Sequence, residues 1–276
     1  MKAMEAIEFW KMSGSGNDFI IIDNRDGKIK EADMGVLVER TCRRRESVGA
    51  DGVIFVTGSD EYDFAWRFFN ADGGEAEMCG NGGRCVSRFA FLNDIAGPRM
   101  TFLTLAGPVS AEVNGRTVKV LMPGPTAFSM DLDLEHIEGR KSLDFINTGV
   151  PHVVVHVDGL SDHPVIEEGK IIRYHPHFSP EGTNANFMAL AGADRLEIRT
   201  YERGVEDETL ACGTGAIACA LVASMRGMVS SPVKVKTRGG EELTVYFQRR
   251  GDSFEDVRLE GDTSIVYLGR LHQEAL

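Results

Sequence analysis

A chain of 276 residues that is 42% hydrophobic can bury a full core as one large or two medium domains. Its formal charge of −12, with no basic block longer than Arg43-Arg44-Arg45, argues against a nucleic-acid partner or an anionic membrane surface. No apolar run reaches the ~18 residues of a spanning helix, the opening Met1-Lys2-Ala3-Met4-Glu5-Ala6 lacks the apolar segment of a leader, and five cysteines at irregular spacing suit reduced thiols better than a disulfide framework. A cytoplasmic location is expected.

In chain order, residues 7–10 read as a short strand and residues 11–18 as a turn-rich loop before the apolar Phe19-Ile20-Ile21-Ile22. Gly14-Ser15-Gly16 precedes a strand, the wrong order for a dinucleotide fingerprint, so no nucleotide cofactor is expected there. Residues 31–45 have helical character, with the arginine run as a solvated face, and Gly49-Ala50-Asp51-Gly52 turns the chain into a strand at 53–56. Another strand, 64–69, leads through the loop Asn70-Ala71-Asp72-Gly73-Gly74 to Cys79. The helix that follows puts Val86, Phe89 and Ala90 on one face and stops at Gly97-Pro98. A strand meander at 101–105, 109–113 and 117–122 turns at Gly107-Pro108 and Asn114-Gly115, and Pro123-Gly124-Pro125 reads as a linker.

Beyond the linker the order repeats. Residues 145–152 precede a strand at 153–157, and Gly182-Thr183-Asn184-Ala185-Asn186 precedes Phe187-Met188. A strand at 196–201 runs through Glu202-Arg203-Gly204 to Cys212, an alanine-rich helix spans about 213–225, and strands follow at 233–237, 243–247 and 257–259. A last strand at 264–268 could return to the first half. The expected domains are 1–123 with 262–276, carrying Cys79, and 124–261, carrying Cys212.

The two cysteines lie 133 positions apart, and that single offset, without gaps, pairs Gly16 with Gly149, Gly49 with Gly182, Gly80 with Gly213, Gly82 with Gly215 and Gly107 with Gly240. Because most matches are glycines, backbone geometry is what the copies share. The chain reads as two copies of one fold.

Cys79-Gly80-Asn81-Gly82 and Cys212-Gly213-Thr214-Gly215 each place a thiol where a helix begins. Free amides and the positive end of the helix dipole at such a start bind carboxylates and favour thiolate over thiol. If the halves pack about a pseudo-twofold axis, the thiols can face one another across a single carbon. One would remove a proton, the other would supply one to the opposite face, and the Gly-x-Gly amides would hold the adjacent carboxylate. Cys42, Cys85 and Cys219 read as core. His163, His175 and His177 have no thiol at Cys-x-x-Cys spacing, so no metal is expected.

These residues resemble the diaminopimelate epimerases. The likeness runs from Lys11-Met12-x-Gly14-x-Gly16-Asn17-Asp18-Phe19 through Phe69-Asn70-Ala71-Asp72-Gly73 and both cysteine motifs, with Gly149-x-Pro151-His152 and Tyr201-Glu202-Arg203-Gly204 between them. The resemblance implies an α+β fold of two pseudo-symmetric lobes, each a mostly antiparallel, barrel-like sheet around a central helix, with the active site in the cleft. It implies cofactor-independent conversion of LL- to meso-diaminopimelate in lysine and peptidoglycan precursor synthesis, by a homodimer.

Matched residue by residue, Cys79 and Cys212 fall on the acid/base pair. Gly80, Asn81, Gly213 and Thr214 fall on the donors to the reacting carboxylate. Asn17, Asn70, Asn184 and Arg203 fall on positions that hold the distal amino-acid end, Arg203 suiting a bidentate carboxylate grip. Glu202, also on the substrate side, and His152 fall on residues that tune thiol ionisation. Many members carry Asn at the position of Val150 and Gln at that of Gly52. Two other readings remain open at this point: a two-cysteine racemase for proline, hydroxyproline or histidine, and a redox protein with a regulatory disulfide.

Overall fold

Strand burial in this chain falls into two patterns, and each reports what covers the sheet. The computed structural model describes residues 6–134 and 143–275; residues 1–5, read above for a leader, lie outside the described residues. Where one face meets solvent, burial alternates, as along Gly107–Asn114 and Glu242–Arg250. Where both faces are covered it is continuous, as in Phe19–Ile22 and Val53–Val56 of one half and Val153–Val155 and Asn184–Ala189 of the other. Those continuous runs belong to two neighbouring strands in each half that pair in parallel with one another.

The chain divides into two compact units, Met1–Val120 with Gly261–Leu276, and Leu121–Glu260. The first holds β1 (Ile7–Gly14), β2 (Asn17–Asp23), α1 (Glu31–Thr41), β3 (Gly52–Thr57), β4 (Phe64–Asn70), α2 (Gly80–Leu92), β5 (Arg99–Thr104), β6 (Gly107–Asn114) and β7 (Thr117–Leu121). The second holds β8 (Thr126–Ser129), β9 (Leu143–Asn147), β10 (Pro151–His156), α3 (Val165–Arg173), β11 (Asn184–Gly192), β12 (Arg195–Glu202), β13 (Asp207–Thr209), α4 (Gly213–Met225), β14 (Val233–Lys236), β15 (Glu242–Arg250) and β16 (Ser253–Asp262). The final strand, β17 (Ser264–Leu271), lies antiparallel on β1 in the first unit.

Pairing directions run identically in the two units. From β17 across β1, β2, β3, β4, β5, β6 and β7 the pairs are antiparallel, antiparallel, parallel, antiparallel, parallel, antiparallel and antiparallel. From β8 across β9, β10, β11, β12, β14, β15 and β16 the series is the same. The repeat glycines hold the same backbone state in both copies: φ is +73° at Gly49 and +69° at Gly182, and +103° at Gly107 and +86° at Gly240. L-residues rarely enter that region, which is why glycine marks the duplication.

Each parallel crossover carries a helix. Met34, Leu37 and Val38 of α1 pack with Ile20, Ile22, Val53 and Phe55, and Val165 and Ile172 of α3 pack with Val153, Val155 and Phe187. The sheet's other face wraps α2 in the first unit, where Phe89 meets Trp10 edge to face at 5.3 Å, and α4 in the second. Burial of α4 is unbroken from Gly215 to Ser224, so its small residues let strands approach on every side.

Several expectations shift. The helix expected over 31–45 ends at Thr41, and Arg44, expected on a solvated helix face, instead pairs with Asp18 at 2.6 Å and Asp51 at 2.8 Å. The loop expected at 11–18 is a hairpin turning at Ser15 and Gly16, so β1 and β2 extend through it. Helix α3 is an added element in a stretch rich in β-branched residues, which favour strands locally. Its register shows in Val165, Gly169 and Ile172: a Cβ at Gly169 would lie 2.8 Å from Tyr201 Cγ, so the helix can seat only through glycine.

Candidate active site

Each unit carries a cysteine at the N-cap of its enclosed helix. Cys79 caps α2 with extended backbone, φ −144° and ψ 117°, and its Sγ accepts from the Gly82 amide at 3.4 Å. Cys212 caps α4 with φ −131° and ψ 111°, its Sγ 3.5 Å from Thr214 Oγ1. The first amides of each helix have no partner four residues back, so Gly80 and Asn81, and Gly213 and Thr214, lie where such amides serve an anion. None of the five cysteines forms a disulfide; Cys42, Cys85 and Cys219 are buried.

The first unit builds a directional hydrogen-bond chain behind Cys79. Arg84, fully buried, donates to Asn81 Oδ1 at 2.7 Å, to Ser15 Oγ and to the Asp262 carbonyl at 2.9 Å. With its oxygen so engaged, Asn81 donates to Asn17 Oδ1 at 2.6 Å, and Asn17 in turn donates to Asp51 Oδ2 at 3.1 Å. Arg84 thus fixes which way two amides point. Asp18, beside Asp51, also meets the nearly buried Lys11 at 2.8 Å. Burial works against the Asp18 carboxylate, but hydrogen bonds and charges from Arg44 and Lys11 outweigh it and hold its pKa down at about 2.

Asn70 is exposed at the end of β4, opposite Gly52. A Cβ at Gly52 would lie 2.5 Å from the Phe69 carbonyl and 2.8 Å from the Phe68 ring, so Phe68 closes the place a longer side chain would need. Asn17, Asn70 and Asn184, expected in loops, instead stand at strand ends, where backbone pairing fixes their Cα positions.

The second unit gathers His152, Asn184, Glu202, Arg203 and Cys212. Asn184 accepts from the Arg203 amide at 2.9 Å and donates to the Pro151 carbonyl at 3.0 Å, tying the Arg203 loop to the strand that carries His152. The Arg203 guanidinium donates to the Glu181 carbonyl at 3.2 Å and lines a pocket of about 400 Å³ with Asn147, Pro151, His177, Phe178 and Ser179. Val150 is half-buried just before Pro151.

Cys212 departs from the simple helix-start expectation. Burial pushes its pKa up to about 12, the Glu202 carboxylate adds to the rise, and the Thr214 hydroxyl and the amides of Gly215 and Thr214 only partly offset it. Desolvation of a sulfur anion outweighs a few amide dipoles, so Cys212 rests as a thiol. His152 is fully buried, and that burial, with the nearby Arg203 charge, pushes its pKa down to about 3. The ring is neutral at pH 7. Among the described residues no group of three or more His, Cys, Asp or Glu side chains could hold a metal ion, and no helix is long and apolar enough to cross a membrane.

Sequence reasoning passed over Arg84 and Asn186. Both carried a signal: a polar residue inside a helix face or strand run that is otherwise apolar must find partners in the core.

Solved structures with this architecture include a PhzF-family phenazine biosynthesis protein from Bacillus anthracis, at TM-score 0.75 and 17% identity over 98% of this chain and 100% of that one. A hydroxyproline epimerase from Agrobacterium vitis matches at TM-score 0.72 and 16% identity over 98% of this chain and 94% of that one. Likeness at that identity defines the class by fold: α+β proteins of two like units, each a largely antiparallel sheet around a central helix.

Sequence narrows the class. The model of the diaminopimelate epimerase family matches residues 9–128 and 145–257. The diaminopimelate epimerase of Aquifex aeolicus is 47% identical over 98% of this chain and 99% of its own length, and that of Archaeoglobus fulgidus is 46% identical over 85% and 87%. The chain belongs to the diaminopimelate epimerase family and is an enzyme of the isomerase class.

Proposed function

We propose that this chain interconverts LL- and meso-diaminopimelate by passing protons between one substrate carbon and two cysteine sulfurs, with no cofactor. The observation that carries the reading is a single local construction built twice, a cysteine capping an enclosed helix through a Gly-x-Gly turn. A symmetric inversion needs two such groups, one for each face.

With Cys212 resting as a thiol, Cys79 is the base for the first stroke. Its thiolate takes the Cα proton, the electron pair delocalises onto the adjacent carboxylate, and Cys212 Sγ–H delivers a proton to the other face. The thiol and thiolate roles are then exchanged, which sets the enzyme for the reverse direction. Amides of Gly80, Asn81, Gly213 and Thr214 stabilise the carboxylate as it gains charge. Arg203 grips the distal carboxylate in the pocket it lines, with Asn17, Asn70 and Asn184 framing the distal end. Glu202 favours the protonated state of Cys212 between turnovers. The setting is lysine and peptidoglycan precursor synthesis, in a cytoplasmic homodimer.

The test is incubation with LL-diaminopimelate in deuterated water, following both Cα deuteration and the meso form, beside proline, hydroxyproline and histidine. Deuteration and inversion of diaminopimelate alone are expected, and Cys79→Ser and Cys212→Ser should each lose at least ~10²-fold in turnover, the scale of a lost acid or base. Inversion of proline or hydroxyproline instead, or full activity in either variant, overturns the reading.

A further inference from the structure

Asn186 lies in the middle of β11, fully buried, in a run that is otherwise apolar except for Asn184. Its Nδ2 is 2.9 Å from the Val153 carbonyl and 3.0 Å from His152 Nδ1, and its Oδ1 accepts from Thr200 Oγ1 at 3.0 Å. The Val153 carbonyl only accepts, so the atom facing it must be the amide nitrogen. That same nitrogen faces His152 Nδ1 and has only hydrogens to offer. His152 Nδ1 must therefore be the unprotonated nitrogen, and the neutral ring carries its proton on Nε2. A protonated ring would set a second hydrogen against those of the amide, so the contact opposes protonation as well. Nε2 is buried and has no hydrogen-bond partner among the described residues.

We propose that Asn186 is a positioning residue that holds His152 as its neutral Nε2–H tautomer, so that the ring serves the reaction as a hydrogen-bond donor to negative charge and not as a proton acceptor. The inference rests on the proposed function only in placing His152 at the reacting site. Asn186 itself is held by hydrogen bonds to three residues, His152, Val153 and Thr200, and is closely approached by a fourth, Gly215. Thr200 fixes its oxygen, Val153 fixes its nitrogen, and a Cβ at Gly215, in the first turn of α4, would fall within 3.0 Å of Oδ1. The residue that sets the tautomer therefore also touches the turn that carries Cys212. An orphaned donor of this kind is costly to keep buried, and such groups persist where an anion is to be met.

The experiment is long-range proton–nitrogen NMR on the full chain labelled with nitrogen-15 histidine, with the His152 signals assigned by their loss in His152→Gln. The wild type at pH 7 should show Nε2 with the shift of a protonated nitrogen and Nδ1 with that of a bare one. In Asn186→Asp a carboxylate replaces the amide donor, so the proton should appear on Nδ1; in Thr200→Val the amide loses its hold and the two tautomers should mix. Turnover in Asn186→Asp should fall ~10²-fold with KM within ~3-fold, the size of effect expected when one acid–base partner is mis-set. A wild-type ring protonated on Nδ1, or an Nε2–H signal unchanged in both variants, overturns the proposal. If Asn186→Asp fails to fold, the wild-type spectrum and Thr200→Val still decide. The tautomer is read without substrate, so loss of the diaminopimelate reading would leave this result standing, and a wrong tautomer would leave that reading intact.

Discussion

Replacing Gly215 by alanine should damage the second unit, whereas the same change at its repeat partner Gly82 should be close to neutral. An added Cβ at Gly215 would lie under 3.0 Å from Asn186 Oδ1 and 3.3 Å from both Cβ and Sγ of Cys212. Asn186 cannot yield, because Val153, Thr200 and His152 hold it. At Gly82 the nearest atoms are Ile54 Cδ1 at 3.2 Å and Cys79 Cβ and Trp66 Cζ3 at 3.5 Å, and the methyl end of an isoleucine can move by a few tenths of an ångström. Alanine in a helix gains up to ~1 kcal/mol over glycine, and forced overpacking of a rigid core costs ~1–3 kcal/mol. Because the clash with Asn186 is severe, the upper end of that cost applies at Gly215, and ~3 less ~1 leaves a net loss of about 2 kcal/mol, whereas the net change at Gly82 is below ~1 kcal/mol in either direction. Urea and thermal unfolding of the two variants measure this directly, with ~3 °C of midpoint per kcal/mol for units of this size. Turnover in Gly215→Ala should also fall by ~10²-fold, because a reacting atom displaced by ~1 Å loses alignment on that scale. A Gly215→Ala protein as stable and as active as wild type would refute the packing argument.

Three further outcomes follow from the site. Iodoacetamide at pH 7.5, mapped by mass spectrometry, should label half-exposed Cys79 well before Cys212, whose burial and raised pKa of about 12 keep it protonated; faster labelling of Cys212 would contradict this. Glu202→Gln removes a carboxylate that raises the Cys212 pKa, so the pH at which Cys212 begins to label should move down, and an unmoved profile would remove Glu202 from the thiol's environment. Asp18 has a folded pKa of about 2 against an ordinary 3.8, so it stabilises the fold by ~2 kcal/mol above pH ~4 and loses that contribution as pH falls toward 2. Asp18→Asn should flatten the acid limb of the stability profile over that window, and an unchanged limb would show that the Lys11 and Arg44 pairs contribute nothing.

What could be read from the letters was whatever the backbone demands locally. Glycine at positive φ and a cysteine before Gly-x-Gly are one-dimensional signals, so the duplication, both capping cysteines and α4 were legible. What depends on partners far along the chain was not. The ionisation of Cys212 turns on how deeply α4 is enclosed, and no residue near 212 announces that. The part played by Arg44 required knowing that Asp18 and Asp51 meet it, and the orientation of His152 required the strand order that sets Asn186 between Val153 and Thr200. Helix α3 was hidden because its β-branched residues favour strand locally, and only its docking against β11 and β12 overrides them.

The helix behind Cys79 is anchored through Arg84 and Arg88 to the carbonyls of Asp262 and Thr263, and β1 has β17 as a neighbour. Protein synthesis is vectorial, so the strands of Leu121–Glu260 have all been made before those anchors exist. Nascent chains halted before residue 262 should therefore yield a protease-resistant second unit while the first stays open to cleavage. The first thiol acquires its surroundings only when translation has passed its last strand.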